Sequence, residues 1–157
     1  MSLISPVPQG LIDRIKVAEG FSALPYRDTN RYWTIGYGHL ISTDATLTYD
    51  QALTLAGGAW SVNRAEASIE PAIESCRLSL DRAFPWFRNL DSARQESFTE
   101  LCYNMGINHL SQFANLLKAA ESAQWVVVAV ELMDSLYARH VGARAKRIAI
   151  ELGTGVV

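Results

Sequence analysis

The chain has 157 residues, 49% of them apolar and 19% charged, and 14 basic residues against 16 acidic ones leave a formal charge of −2. That balance excludes a disordered chain and argues against a general nucleic-acid binder, whose polyanionic partner requires a positive excess. The length suits one compact domain, 1–157, with an ordinary core. No apolar run approaches the ~20 residues that a membrane-spanning helix needs. Residues 1–10, with Pro6 and Pro8, lack the basic start and apolar stretch of a signal peptide. The expectation is a soluble cytosolic protein, with delivery by another agent if its substrate lies outside the cytoplasm. Cys76 and Cys102 stand in no metal-binding or redox spacing and read as two free buried thiols.

A Pro-containing lead-in covers residues 1–9. From Gly10 to Glu19, Leu11, Ile12, Ile15 and Ala18 recur at helical spacing, and Gly20 follows as a stop. Residues 26–40 are aromatic and β-branched, with the polar run Asp28-Thr29-Asn30-Arg31 near the start and Gly36 and Gly38 near the end; they predict a small antiparallel sheet. Everything after Thr48 reads helical. Thr48-Tyr49-Asp50-Gln51 is a capping box, and its helix is expected to run over 48–70, with a possible bend at Gly57-Gly58 and an end at Pro71. A second box at 92–95 opens a helix whose buried stripe is Phe98, Leu101, Cys102 and Met105. Ser111 is read as the cap of a helix through Ala120, and further helices are expected over 124–138 and 143–152, the last stopped by Gly153. The fold class is α+β, mainly α: a small lobe at about 10–47, a connecting helix at about 48–70 and a helical lobe at about 71–157. A ligand cleft is expected between the lobes.

The chemistry concentrates in residues 19–40. Glu19 closes an apolar-faced helix, where the negative helix end and desolvation by apolar neighbours both favour the neutral acid. Asp28 stands in a polar turn, where backbone N–H groups and water keep a carboxylate ionised. Thr34 lies on the returning strand. Taken singly each is ordinary: a Glu at a helix end, an Asp in a turn, a Thr in a strand. Taken together, two carboxylates of opposite protonation from different elements are the minimum apparatus for cleaving a glycosidic bond.

Ala18-Glu19-Gly20-Phe21, then Pro25-Tyr26-Arg27-Asp28, then the run Tyr32-Trp33-Thr34-Ile35-Gly36-Tyr37-Gly38-His39-Leu40 resembles the phage-type lysozymes, the endolysin muramidases of glycoside hydrolase family 24. Their signature is a Glu, eight residues, an Asp, five residues and a Thr before a Gly-x-Gly-His turn, and Glu19, Asp28 and Thr34 keep that spacing. The stretch from Leu101 to Gly106 looks like the family's central buried helix, and Gly142 to Arg147 like the start of its basic C-terminal helix. The resemblance implies a two-lobed lysozyme fold and hydrolysis of the β-1,4 bond between N-acetylmuramic acid and N-acetylglucosamine. It implies Glu19 as general acid, with Asp28 and Thr34 holding the attacking water or stabilising the developing positive charge, and it favours inversion. It implies no metal and no organic cofactor. Its setting would be the bacterial host cytoplasm, followed by the cell wall once a holin opens the inner membrane. A monomer is expected, with no nucleic-acid partner and no stable membrane insertion.

Substrate contacts are expected from Tyr37, whose ring suits a sugar face, from Asn104, whose amide suits an acetamido group, and from Arg144. Trp33 is a further aromatic of this kind, and His39 reads as structural, orienting the hairpin. Arg139, His140, Arg144, Lys146 and Arg147 make a local basic cluster with only Glu151 nearby against it, expected to attract the carboxylates of peptidoglycan stems in a salt-dependent way. The short connection from His39 to Thr48, the Gly57-Gly58 pair and the acidic balance depart from the family's habits. Three rival readings remain: a lysozyme-like module that binds glycan without cutting it, a lytic transglycosylase that forms an anhydro sugar, and a helical nucleic-acid or partner-binding protein built around the C-terminal basic helix, which leaves residues 19–40 unexplained. Retention of Glu19 and Asp28 argues against the first, and retention of Asp28 and Thr34 against the second.

Overall fold

Gln9–Glu19 forms helix α1, entered through Pro8, whose fixed backbone suits a helix start. It buries Leu11 and Ile15 completely and stops where Gly20 takes φ 69° and donates its N–H to the Lys16 carbonyl. The computed structural model describes residues 6–157, so most of the lead-in expected over 1–9 lies outside the described residues. The chain divides into two units, Val7–Glu74 and Ser75–Val157.

In the first unit α1 leads into three antiparallel strands, β1 (Ser22–Arg27), β2 (Trp33–Gly36) and β3 (His39–Ser42), in the order β1-β2-β3. The central strand β2 is buried along its whole length. Tyr26 faces Thr34 and Arg27 faces Trp33 across the first pair, and Thr34 faces Leu40 across the second. Helix α2 (Tyr49–Leu55) carries the expected capping box: Gln51 N–H donates to Thr48 Oγ1 and the Gln51 side chain accepts from Thr48 N–H.

The single helix expected over 48–70 is two helices. Gly57 and Gly58 take φ of 76° and 91°, which a helix does not tolerate, and α3 (Val62–Ala83) starts afresh after them. Pro71 lies inside α3 instead of ending it. A proline in a helix interior costs about 3 kcal/mol, but Ile69 and Ile73 on either side are both fully buried. At about 1.5–3 kcal/mol each, their burial offsets the loss.

The second unit is helical. After a 3₁₀ turn at Pro85–Asn89 come α4 (Ser92–Met105), α5 (Ile107–Leu110), α6 (Ala114–Glu121), α7 (Trp125–Met133), α8 (Leu136–Val141) and α9 (Ala143–Thr154). Their apolar faces meet in one core that includes Leu80, Phe87, Phe98, Leu101, Leu132 and Ile148. Phe98, Leu101 and Cys102 line the buried face of α4 as the spacing predicts, and Met105 packs against the same core half-buried.

Several boundaries differ from those read in the sequence. Asp91, not Ser92, caps α4, accepting from the Arg94 N–H at 3.0 Å. Ser111 ends α5 instead of capping the next helix, bonding back to the Ile107 carbonyl. The helix expected over 124–138 breaks at Asp134-Ser135, where Ser135 caps α8. Gly153 is helical, with α7 close by, since a Cβ there would stand 3.5 Å from that of Ala129. The stop is Gly155, in the left-handed conformation. Arg94 satisfies the open end of α9 by donating Nε to the Leu152 carbonyl at 2.8 Å. Cys76 and Cys102 form no disulfide, and their thiols hydrogen-bond each other; that bond and burial push the Cys76 thiol up.

A buried charge network ties α4 to α9. Glu100, with a side chain 1% exposed, accepts from Arg144 Nε at 2.9 Å and from Arg147 Nη2 at 2.6 Å. Arg147 also pairs with Glu151, whose second oxygen accepts from Ser97 Oγ. Burial pushes the Glu100 carboxyl up, but the hydrogen bonds and charges of Arg147 and Arg144 outweigh it and hold it below its ordinary value. Its stabilisation is therefore present above about pH 4.5 and is lost as pH falls through the lowered folded-state value. Glu100→Gln is expected to cost about 3 kcal/mol in urea unfolding at pH 7, because the two guanidinium groups lose their buried counter-charge.

Candidate active site

Glu19 is the last residue of α1, half-buried, and its carboxyl lies over the turn between β2 and β3. The contact is so close that a Cβ on Gly38 would stand 2.9 Å from Glu19 Oε2. Gly38 also takes φ 77°. Two separate constraints thus demand glycine there: backbone conformation, and room for the carboxyl. Gly36 serves a different neighbour, because a Cβ on it would meet the Trp60 ring at 3.0 Å.

Asp28 stands at the other end of the sheet's first hairpin. Its Oδ1 accepts from the N–H groups of Asn30 at 2.8 Å and Tyr32 at 2.9 Å, closing the turn in which Arg31 takes φ 66°. The Tyr32 peptide then joins two of the expected site residues. Its N–H donates to Asp28, and its carbonyl accepts from Thr34 Oγ1 at 3.1 Å. Thr34 is 4% exposed on β2, directly opposite Tyr26. Burial, then the negative charges of Glu19 and Asp28, raise the Tyr26 phenol. One side chain therefore feels both carboxylates. The first unit by itself holds Glu19, Asp28 and Thr34, and it sets Tyr26, a residue that sequence reasoning passed over, opposite Thr34; the available signal was its place two positions before Asp28 on a strand.

The expected substrate contacts fare differently. Tyr37 is 8% exposed, its ring against Phe21 at 5.6 Å with the Lys16 ammonium over it, so it packs the turn and offers little face to a sugar. Trp33 likewise faces inward, donating its indole N–H to the Leu47 carbonyl under the Arg27 guanidinium. Asn104 and Arg144 belong to the second unit. Asn104 is half-buried in the last turn of α4. Arg144, 10% exposed, is held by Glu100, and Arg147 by Glu100 and Glu151. The basic cluster read from the sequence is accordingly reduced to Arg139, His140 and Lys146, because Glu100 is brought to it from α4. His39 packs against Trp60 with the rings tilted and their centroids 4.9 Å apart, in keeping with a structural role. An open groove of about 590 Å³ between α7 and α9 is lined almost wholly by apolar side chains, with Asp134 and Lys146, and holds no pair of carboxylates for glycoside chemistry.

The model of the phage lysozyme family matches residues 16–147. The chain belongs to the phage lysozyme family. The chain is 26% identical to the probable T4-type lysozyme 1 of Dictyostelium discoideum over 160 residues, which cover 92% of this chain and 94% of that protein. A second probable T4-type lysozyme of that organism is also 26% identical, over 163 residues covering 94% of this chain and 95% of its own length. The pre-baseplate central spike protein Gp5 of Enterobacteria phage T4 is 23% identical over 92% of this chain, which spans 28% of that longer protein. The mainly helical α+β architecture is the one the family implies, and the chain is a lysozyme-type enzyme, a muramidase-class hydrolase of peptidoglycan.

Gly38→Ala is expected to lower activity on peptidoglycan at least about tenfold, since the new methyl group displaces the Glu19 carboxyl. Gly58→Ala is the control: φ there is 91° and no atom lies within 4 Å of the new Cβ. It carries the same kind of backbone strain, roughly 1 kcal/mol, and should keep its rate. His39 is held below its ordinary value by burial and by the Arg64 charge. The unfolded chain thus takes up this proton more readily, and stability falls as pH drops from about 6.5 toward the lowered value. Thermal unfolding of His39→Gln between pH 7 and pH 5.5 should show a shallower fall than the unaltered chain.

Proposed function

We propose that the chain hydrolyses the β-1,4 bond between N-acetylmuramic acid and N-acetylglucosamine, with Glu19 as the general acid and Asp28 and Thr34 as the groups that handle water. The carrying observation is that the Tyr32 peptide bonds both Asp28 and Thr34, in the same unit in which the Glu19 carboxyl lies against Gly38. Glu19 gives its proton to the leaving glycosidic oxygen as the bond to the anomeric carbon breaks. Water forms the new bond to that carbon from the opposite face, with inversion, and gives a proton to Asp28. Asp28 Oδ1 is occupied by two backbone N–H groups, which fix the carboxylate and aim its second oxygen. Thr34 Oγ1 spends its proton on the Tyr32 carbonyl, which leaves its lone pairs to accept from a water.

The biological setting we propose is host lysis. The protein would accumulate as a monomer in the bacterial cytoplasm and reach the wall after a holin opens the inner membrane. Among the described residues no helix is long and apolar enough to cross a membrane. Binding to wall carboxylates would draw on Arg139, His140 and Lys146, all exposed.

The test is mass spectrometry of soluble products from purified peptidoglycan digested with the unaltered chain and with Glu19→Gln. Reducing muropeptides from the first and a loss of at least about a hundredfold in the second are expected. Anhydro-muropeptides would instead assign a lytic transglycosylase. Binding without products from either protein would leave a glycan-binding module and overturn the proposal.

A further inference from the structure

The mechanism above leaves the substrate short of hydrogen-bond donors. An ionised Asp28 can only accept, Thr34 already donates to the Tyr32 carbonyl, and the Glu19 proton is consumed by the leaving oxygen. An N-acetylated sugar presents a carbonyl oxygen that needs a donor. Tyr26 is the one group of this set with a donor to offer. It lies on β1 opposite Thr34 and two positions before Asp28, so strand alternation places all three on one face of the hairpin. Its side chain is half-buried, and among the described residues its hydroxyl has no hydrogen-bond partner. Burial and the two neighbouring carboxylates keep the phenol protonated at working pH, so the donor is always present. A half-buried hydroxyl without a protein partner, on the hairpin face that carries Thr34, is suited to meet a ligand.

We propose that the Tyr26 hydroxyl donates a hydrogen bond to the acetamido carbonyl of the sugar bound between Glu19 and Asp28, making Tyr26 a substrate-contacting residue that sets the preference for N-acetylated glycans. The inference rests on the reading of this unit as a glycosidase site. It assigns Tyr26 a chemical task distinct from those of Glu19, Asp28 and Thr34: it selects the ring and holds it with the anomeric carbon facing the water.

The test is Tyr26→Phe, which keeps the ring and removes only the hydroxyl. Release of reducing ends is measured on peptidoglycan oligomers of defined length, fully N-acetylated or chemically N-deacetylated, together with the thermal unfolding midpoint. The expected result is a fall of about tenfold in kcat/KM on the acetylated oligomer, no comparable fall on the deacetylated one, and an unchanged midpoint. The preference for the acetylated substrate should shrink by the same factor. Equal rates for Tyr26→Phe and the unaltered chain on the acetylated oligomer would overturn the inference. So would an equal loss on both oligomers, which is the mark of a structural role. An unaltered chain that cleaves neither oligomer would overturn the glycosidase reading itself, and the contact with it; this outcome is told apart from the others because it appears before any substitution is made.

Discussion

The arrangement of the first unit depends on one close approach, the Glu19 carboxyl lying against the backbone at Gly38. A helix ends and a turn between two strands passes beneath it, with no side-chain atom in the gap. The helix stops at Gly20, so that Glu19 is its last residue and the chain turns directly into β1. The turn must hold a left-handed backbone at Gly38, and the strands must be positioned firmly enough to keep the approach in place. Trp60, close against Gly36 and in ring contact with His39, supplies that positioning at the same turn.

Around Asp28 the governing principle is hydrogen-bond accounting. The Tyr32 peptide donates to one expected site residue and accepts from another, so Asp28 and Thr34 are oriented by the same rigid plane. Backbone groups are good anchors because their geometry is set by the strand and not by a rotamer. The cost of this arrangement is that its side chains become acceptors, and Tyr26 stands out because its hydroxyl is not committed in the same way. The second unit uses polar groups in the opposite sense. There Glu100, Arg144, Arg147, Glu151 and Ser97 satisfy one another in a buried cluster, and α4 and α9 are fastened by charges that have little exposure to solvent.

How much was legible in the sequence depended on the range of the interaction concerned. The capping box at Thr48 and Gln51 was readable because both partners lie within one turn of chain. The helix end at Glu19 and the turn at Asp28 were readable because Gly20 and the polar run after Asp28 are local signals. The start of α4 shifted to Asp91, since Asp91 and Ser92 have similar capping ability and packing chooses between them, while Ser135 opens α8 inside a stretch that reads as one helix. Pro71 misled because a local helix-breaker was overruled by two isoleucines whose burial is a tertiary property.

By itself the sequence determined the fold class, the family and the elements that carry Glu19, Asp28 and Thr34, because those depend on spacing along the chain. Only the tertiary structure decided what the other polar and aromatic residues do. Arg144 meets a carboxylate 44 positions away, and a cluster that looks basic in one dimension is partly neutral in three. Tyr37 and Trp33 turn inward while Tyr26 keeps an open hydroxyl. Strand alternation states which residues share a face but not which face the core will cover, and that choice is made only when the elements pack.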